Sequence, residues 1–230
     1  DPNIRPAGLA VHIGSQIIEL DPFERAYSAL LSFGTALRDE GLEVPVLDLG
    51  GGIGVDYQDG TPTDFTAYGE LVSRLFAGSG FRLGFEPGRS IVANNGVLLT
   101  RVIYVKDGDN KRFAIVDAAM NDLLRPTLYE AHHDIRPVGP EGAIEGPADI
   151  VGPVCETGDY LGLDRMMPSL AAGDCLAVMS AGAYGAGGAS RYPPRPPAGA
   201  VLVLDGEVHI LRRRRDVAEL LAEEIIPDFG

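Results

Sequence analysis

Five short segments of this 230-residue chain carry groups able to bind or move charge, and each contains or adjoins a glycine or proline. His12-Ile13-Gly14-Ser15-Gln16 offers an imidazole and a hydroxyl. A histidine there can be a ligand, a base, a ring stacked on a planar cofactor, or a satisfied core residue. Glu86-Pro87-Gly88-Arg89 places an acid and a guanidinium around a tight turn. They can form a local salt bridge. Alternatively both face a ligand, Glu86 toward a protonated ring nitrogen and Arg89 toward a carboxylate or phosphate. Arg125-Pro126-Thr127-Leu128-Tyr129-Glu130 brings a guanidinium and a phenol together. Cys155-Glu156 follows Gly152-Pro153, so that thiol sits on a loop after a strand; it is inert unless a neighbouring charge or an acid role engages it. Gly182-Ala183-Tyr184-Gly185 puts a phenol between small residues, where its OH can reach a phosphate. Cys175 lies in an apolar strand and reads as core.

The elements that must position these groups are legible around Pro45 to Gly54. Val46-Leu47-Asp48-Leu49 reads as a buried parallel strand, covered on both faces, and it ends abruptly in Gly50-Gly51-Gly52. Three residues without Cβ let the backbone close on a ligand, and their N–H groups can form an anion-binding concavity. The plainer alternative is a tight turn. The spacing is not that of a dinucleotide fingerprint. Upstream, Gly8 to Gly14 is an apolar strand, and Asp21-Pro22 opens a helix as N-cap and first residue. Phe23, Ala26, Tyr27, Leu30, Leu31 and Leu37 share one face of that helix, which Gly41 ends. Asp64 starts a second helix, with Phe65, Tyr68, Leu71, Val72, Leu75 and Phe76 on one face, and Gly78 and Gly80 stop it. Phe81 to Phe85 is a third strand. Alternating strands and helices predict a parallel sheet with its site at the carboxyl ends of the strands. His12 and Ser15, the glycines, and Glu86 with Arg89 all fall there.

Beyond Asn95 the pattern becomes strand-rich. Gly96 to Val105, Arg112 to Val116, Asp149 to Val154, Cys175 to Met179, Ala200 to Leu204 and Val208 to Leu211 read as strands of an antiparallel β domain. Asp107-Gly108-Asp109-Asn110 and Asp205-Gly206 are its turns, Arg212 to Arg215 a solvated strand end, and Val217 to Ile225 a closing helix. The domains are therefore placed at 1–95 and 96–230. A formal charge of −14 argues against nucleic acid or an anionic membrane as partner. No apolar run approaches the roughly 20 residues of a membrane span, and no signal peptide is evident. Two cysteines suit a reducing compartment, so a cytoplasmic location is expected.

The segments HIGSQ, DLGGGIG, EPGR, RPTLYEA, GPVCETGD and SAGAYG occur in the order found in diaminopimelate decarboxylases, which the chain resembles from about Gly8 onward. These are fold-type III pyridoxal-phosphate enzymes, relatives of ornithine and arginine decarboxylases. The resemblance implies the C-terminal part of a PLP-binding (β/α)8 barrel of the alanine racemase type, followed by an antiparallel β-sandwich or barrel. It implies that His12 stacks on the pyridine ring, and that Ser15, Gly52, Gly88 and Tyr184 surround the phosphate. Glu86 pairs with the ring nitrogen. Arg89, Arg125 and Tyr129 hold the substrate's distal carboxylate, with Tyr184 also beside the substrate, and Glu156 holds the distal ammonium. Cys155 is the proton donor and reaches a neighbouring subunit's site, so a homodimer with shared sites is implied. A guanidinium left without an anion penalises ornithine or lysine, which favours meso-diaminopimelate, giving L-lysine and CO2.

The chain departs from that pattern in two places. The family's first barrel strands, and the lysine that anchors the cofactor covalently, have no counterpart here. The two lysines present, Lys106 and Lys111, flank a turn in the β half. The opening residues Asp1 to Ala7 do not read as a domain start, so a fragment or one piece of a split protein is expected, with open sheet edges and an unfilled interior. Tyr192-Pro193-Pro194-Arg195 stands where the family usually has Asn after the Tyr. Two readings compete with the enzyme: a non-catalytic pseudo-subunit docking on a full-length homologue, and a related ornithine or arginine decarboxylase.

Overall fold

A computed structural model describes residues 3–58, 63–140, 142–190 and 195–227. The chain divides into two compact units, Asp1–Asn95 and Gly96–Gly230. Tyr192, Pro193 and Pro194 lie outside the described residues.

The first unit runs β1 (Leu9–Ala10), α1 (Asp21–Asp39), β2 (Val46–Asp48), α2 (Phe65–Phe76), β3 (Arg82–Gly84) and a short α3 (Arg89–Val92). Its three strands form the expected parallel sheet in the order β1-β2-β3. Register aligns Leu9, Leu47 and Leu83 across the sheet, and on the next row Ala10, Asp48 and Gly84. The leucine row belongs to the core that both long helices cover, with Phe23, Tyr27 and Leu30 from α1 and Tyr68, Leu71, Val72 and Phe76 from α2. The opposite row carries small or polar residues, so β2 is not apolar on both faces as the sequence suggests. Asp48 and Val46 are only half-buried, whereas Leu47 is fully buried. Aromatic edges lock the helix pair: Phe23 and Tyr68 rings meet at 87°, and the Tyr27 and Tyr68 hydroxyls share a 2.7 Å hydrogen bond.

Helix α1 begins one residue earlier than Asp21 as N-cap would have it. Leu20 is the N-cap and its carbonyl takes the Glu24 N–H, which leaves Asp21 and Pro22 inside the first turn. Asp64 does cap α2, accepting from the Ala67 N–H. Strand β1 is shorter than Gly8 to Gly14: after Val11, whose N–H donates to the Asp48 carbonyl, the chain turns across the end of β2. Among the described residues no helix is long and apolar enough to cross a membrane.

The second unit contains β4 (Leu98–Asp107), β5 (Arg112–Val116), α4 (Arg125–Tyr129), β6 (Ile135–Pro137), β7 (Ile144–Val151), β8 (Tyr160–Pro168), β9 (Cys175–Val178), β10 (Ala200–Leu204), β11 (Glu207–Arg212) and α5 (Val217–Leu221). Six strands join in the order β6-β9-β4-β5-β7-β8, and β10-β11 is a separate hairpin. The sheet is mixed rather than antiparallel, because β5 and β7 run parallel. The ends of the order approach one another: an added Cβ on Gly162 of β8 would lie 2.9 Å from Ile135 of β6. Strand β4 is long because it serves two neighbours, β9 through Leu98–Arg101 and β5 beyond Val102. Val102, Val116, Leu123, Ile150, Leu161, Leu176 and Val178 fill the core.

Strand β7 starts at Ile144 and stops at Val151, earlier than Asp149 to Val154, because Gly152 to Asp159 form a loop of their own. Strand β8 carries no clean alternation and was not expected. The closing helix ends at Leu221 instead of Ile225; Asp216 and Glu219 cap its start reciprocally. Cys175 is half-buried, not core.

Candidate active site

The two units each gather part of the expected set. In the first unit three strand ends converge on the glycine triplet. Gly50 and Gly52 take φ of +66° and +94°, and an added Cβ would stand 2.2 Å from the Val11 and Gly14 carbonyls respectively. At Gly51 it would stand 2.3 Å from the Glu86 carbonyl. The glycines therefore admit the neighbouring strand ends, a demand stronger than that of a simple turn. They donate less than the sequence suggests. The Gly50 N–H goes to Asp48 Oδ1 (2.7 Å) and the Gly51 N–H to His12 Nδ1 (3.4 Å). The Gly52 N–H is left as the amide of the triplet without a hydrogen bond among the described residues. Accepting at Nδ1 makes His12 the Nε2–H tautomer when neutral.

Around this backbone stand the expected side chains. His12, Ser15 and Glu86 are exposed, and the Glu86 N–H donates to the Gly50 carbonyl (2.8 Å). Arg89 donates to Ser15 Oγ (3.1 Å) and to the hydroxyl of Tyr57 (2.6 Å). Gly88 has open space where a Cβ would stand. A hydroxyl, a guanidinium and a backbone amide suit a phosphate-type anion, and an acid on the neighbouring strand end suits a protonated heterocycle. The local salt bridge between Glu86 and Arg89 does not form: Arg89 turns to Ser15 and Tyr57 instead. Sequence reasoning missed two residues here. Tyr57, five residues past the triplet, is buried against Arg89. Gln16, at φ +62°, exchanges two hydrogen bonds with the Val55 backbone and pins the loop after β1.

In the second unit Arg125 and Tyr129 share the single turn of α4 but not their surroundings. Arg125 is 8% exposed and Tyr129 70%. Arg125 Nη1 lies 2.7 Å from His133 Nε2, and His133 Nδ1 lies 2.9 Å from the Met179 carbonyl. A guanidinium only donates, so Nε2 accepts and the ring proton sits on Nδ1. Burial pushes the His133 pKa down to about 4, and the charges of Arg125, His132 and Arg165 push the same way, against the Met179 carbonyl.

Cys155 and Glu156 are exposed on the loop between β7 and β8. Asp159, 4% exposed, shapes that loop: it accepts from the N–H of Val154 (2.6 Å) and of Met120 (2.7 Å). The Tyr160 hydroxyl donates to the Pro126 carbonyl (3.1 Å), and Thr127 donates to the Gly158 carbonyl. These bonds tie the loop that carries Cys155 and Glu156 to α4, which carries Arg125 and Tyr129. Tyr184 is exposed at φ +61°, two residues past Gly182, whose Cα packs on Gly96. Lys106 and Lys111 stand on the β4–β5 hairpin, with Lys111 Nζ 2.8 Å from Asp149.

Residues 25–182 match the family model described as "Pyridoxal-dependent decarboxylase, C-terminal sheet domain". The chain is 48% identical over 225 residues to the diaminopimelate decarboxylase of Zymomonas mobilis, covering 97% of this chain and 53% of that protein. It is 50% identical over 221 residues to the Pseudomonas aeruginosa diaminopimelate decarboxylase, covering 96% and 53%. The crystal structure of Helicobacter pylori diaminopimelate decarboxylase complexed with L-lysine superposes with a TM-score of 0.88 at 39% identity, over 95% of this chain and 54% of that one. The chain spans about half the length of the curated relatives it matches.

Proposed function

The chain belongs to the pyridoxal-dependent decarboxylase family, and on that premise we propose that it forms the C-terminal part of a diaminopimelate decarboxylase. The reaction releases CO2 from meso-2,6-diaminopimelate and leaves L-lysine, the last step of lysine biosynthesis. The observation that carries the choice of substrate is the buried Arg125 on a helix tied to the loop of Cys155 and Glu156. That neighbourhood offers a cation and an acid for a distal end bearing both carboxylate and ammonium. A substrate without the distal carboxylate would leave the guanidinium uncompensated, which disfavours ornithine and lysine.

Pyridoxal phosphate, when bound, supplies the electron sink for the pair left as CO2 departs. The chain's residues do the rest. Ser15, the Gly52 amide, Gly88 and Tyr184 hold the phosphate, and Arg89 braces Ser15 from behind while facing the substrate carboxylate. Glu86 would face the ring nitrogen and favour its protonated form, and His12 would stand beside the ring. Arg125, Tyr129 and Tyr184 take the distal carboxylate side and Glu156 the distal ammonium. Cys155 delivers the proton from Sγ to the carbon that lost CO2. The exposed position of Cys155 supports a homodimer in which that thiol reaches the neighbouring subunit. Three parallel strands with their helices packed against them support membership of an eight-stranded barrel. A cytoplasmic location is in keeping with two free cysteines.

A second reading is a non-catalytic subunit docked on a full-length homologue. Reconstitution with the N-terminal segment of the Zymomonas mobilis relative separates the two. CO2 release from meso-diaminopimelate is expected, and Cys155→Ala should lower kcat by about 100-fold or more. Full turnover by that variant removes the proton-donor role. Failure of every reconstituted assembly to release CO2, with the chain co-purifying with an intact homologue, establishes the docked subunit instead.

A further inference from the structure

His133 is fully buried, and the reaction outlined above gives it nothing to do. We infer that His133 is a positioning residue, which aims the Arg125 guanidinium at the substrate's distal carboxylate through a nitrogen that carries no charge. This rests on the reading of Arg125 as the residue that holds that carboxylate.

The geometry begins in the backbone. Helix α4 ends at Glu130, whose left-handed conformation (φ +51°) turns the chain so that Ala131 N–H still reaches the Arg125 carbonyl. The returning chain places His133 beside the helix's first residue. Its ring then bridges two elements: Nε2 accepts from Arg125 Nη1 at 2.7 Å, and Nδ1–H donates to the Met179 carbonyl at 2.9 Å. Met179 immediately precedes Ser180, where the loop carrying Tyr184 begins. Thus one imidazole ties the guanidinium of α4 to the root of the Tyr184 loop.

A carboxylate is the usual partner for a buried guanidinium, and it would bring the geometry at a cost in charge. Its negative charge would compete with an incoming carboxylate for the same cation. The imidazole takes one guanidinium N–H and adds no negative charge, so the cation's charge is not offset from that side. The Arg125 contact also opposes protonation, since a proton on Nε2 would face a donor, and burial adds to this against the pull of the Met179 carbonyl. His133 therefore stays a neutral acceptor at the pH of catalysis.

Two substitutions divide the ring's two contacts. His133→Asn retains a donor near Nδ1 for the Met179 carbonyl but has no acceptor at the Nε2 position. His133→Gln retains an acceptor near Nε2. In the reconstituted assembly, His133→Asn is expected to raise KM for meso-diaminopimelate by about tenfold or more, as for a lost oriented hydrogen bond to a charged group. The loss should fall on KM rather than kcat, and inhibition by cadaverine, the diamine that lacks any carboxylate, should be unchanged. His133→Gln should restore most of the lost affinity. Nitrogen-15 NMR of the parent imidazole gives a readout independent of turnover: an Nδ1–H tautomer is expected, persisting below pH 6. An Nε2–H tautomer, or equal damage to KM and cadaverine inhibition in both variants, overturns the inference. Arg125→Gln separates the two ideas. If it raises KM while His133→Asn does not, His133 does not position Arg125. If it leaves KM unchanged, the carboxylate role of Arg125 falls and takes this inference with it.

Discussion

In the α/β unit the candidate side chains His12, Ser15 and Glu86 stand exposed, and what is buried is the backbone beneath them. In the sheet unit the order is inverted. The guanidinium of Arg125 is itself buried, and its orientation comes from another buried side chain. The first arrangement is stiff because the end of β2 meets three carbonyls at spacings no Cβ could occupy. The second is stiff because a neutral imidazole has a single tautomer compatible with both neighbours. Geometry at one site is thus built from the absence of side chains, and at the other from the pairing of two.

The sharpest way to break this contrast is to add one methyl group. Gly50→Ala meets both a positive φ and the Val11 carbonyl, and should destabilise the α/β unit by about 3 kcal/mol or more, read as a lower denaturation midpoint. Near-parental stability would show that the strand ends part easily and that the glycines are dispensable.

Acid tests the other unit. His133 has an ordinary value of 6.5 and about 4 when folded. As pH falls, the unfolded chain takes the proton first, so stability declines between those values. The penalty is absent above about pH 6.5 and complete near pH 4, where it amounts to at most about 3 kcal/mol. Denaturation of the parent should therefore weaken more steeply across that window than denaturation of His133→Gln. Parallel profiles would mean the imidazole is not confined as described.

The smallest effect has the opposite sign. Gly69 lies exposed inside α2 with nothing near a built Cβ. Gly69→Ala should stabilise the α/β unit by about 0.5–1 kcal/mol. The same substitution 19 positions from Gly50 would then separate a glycine required by neighbouring backbone from one that only costs helix propensity.

Much of the α/β unit was legible beforehand. Helical spacing of Phe23, Tyr27 and Leu30 and the Asp64 cap are local signals, and both long helices formed close to their expected bounds, whereas β1 came out shorter. Strand ends carrying polar groups were legible for the same reason. The sheet unit was read less well. Strand β8 lacks alternation because its register with β7 shifts repeatedly, and the parallel pairing of β5 and β7 follows from a connection whose length alone gives no direction. Asp159 was visible inside GPVCETGD, yet nothing in the motif says that it binds the Met120 amide across 39 residues.

What the sequence by itself determined is the set of groups and the glycine-lined end of β2, since φ, caps and helical faces depend on a few adjacent residues. Tertiary structure alone decided which amides of the triplet remain available, that Tyr57 stands against Arg89, and that His133 lies against Arg125. Those outcomes depend on which distant segments share a desolvated space, where every buried donor must find an acceptor, and that pairing leaves no periodic trace along the chain.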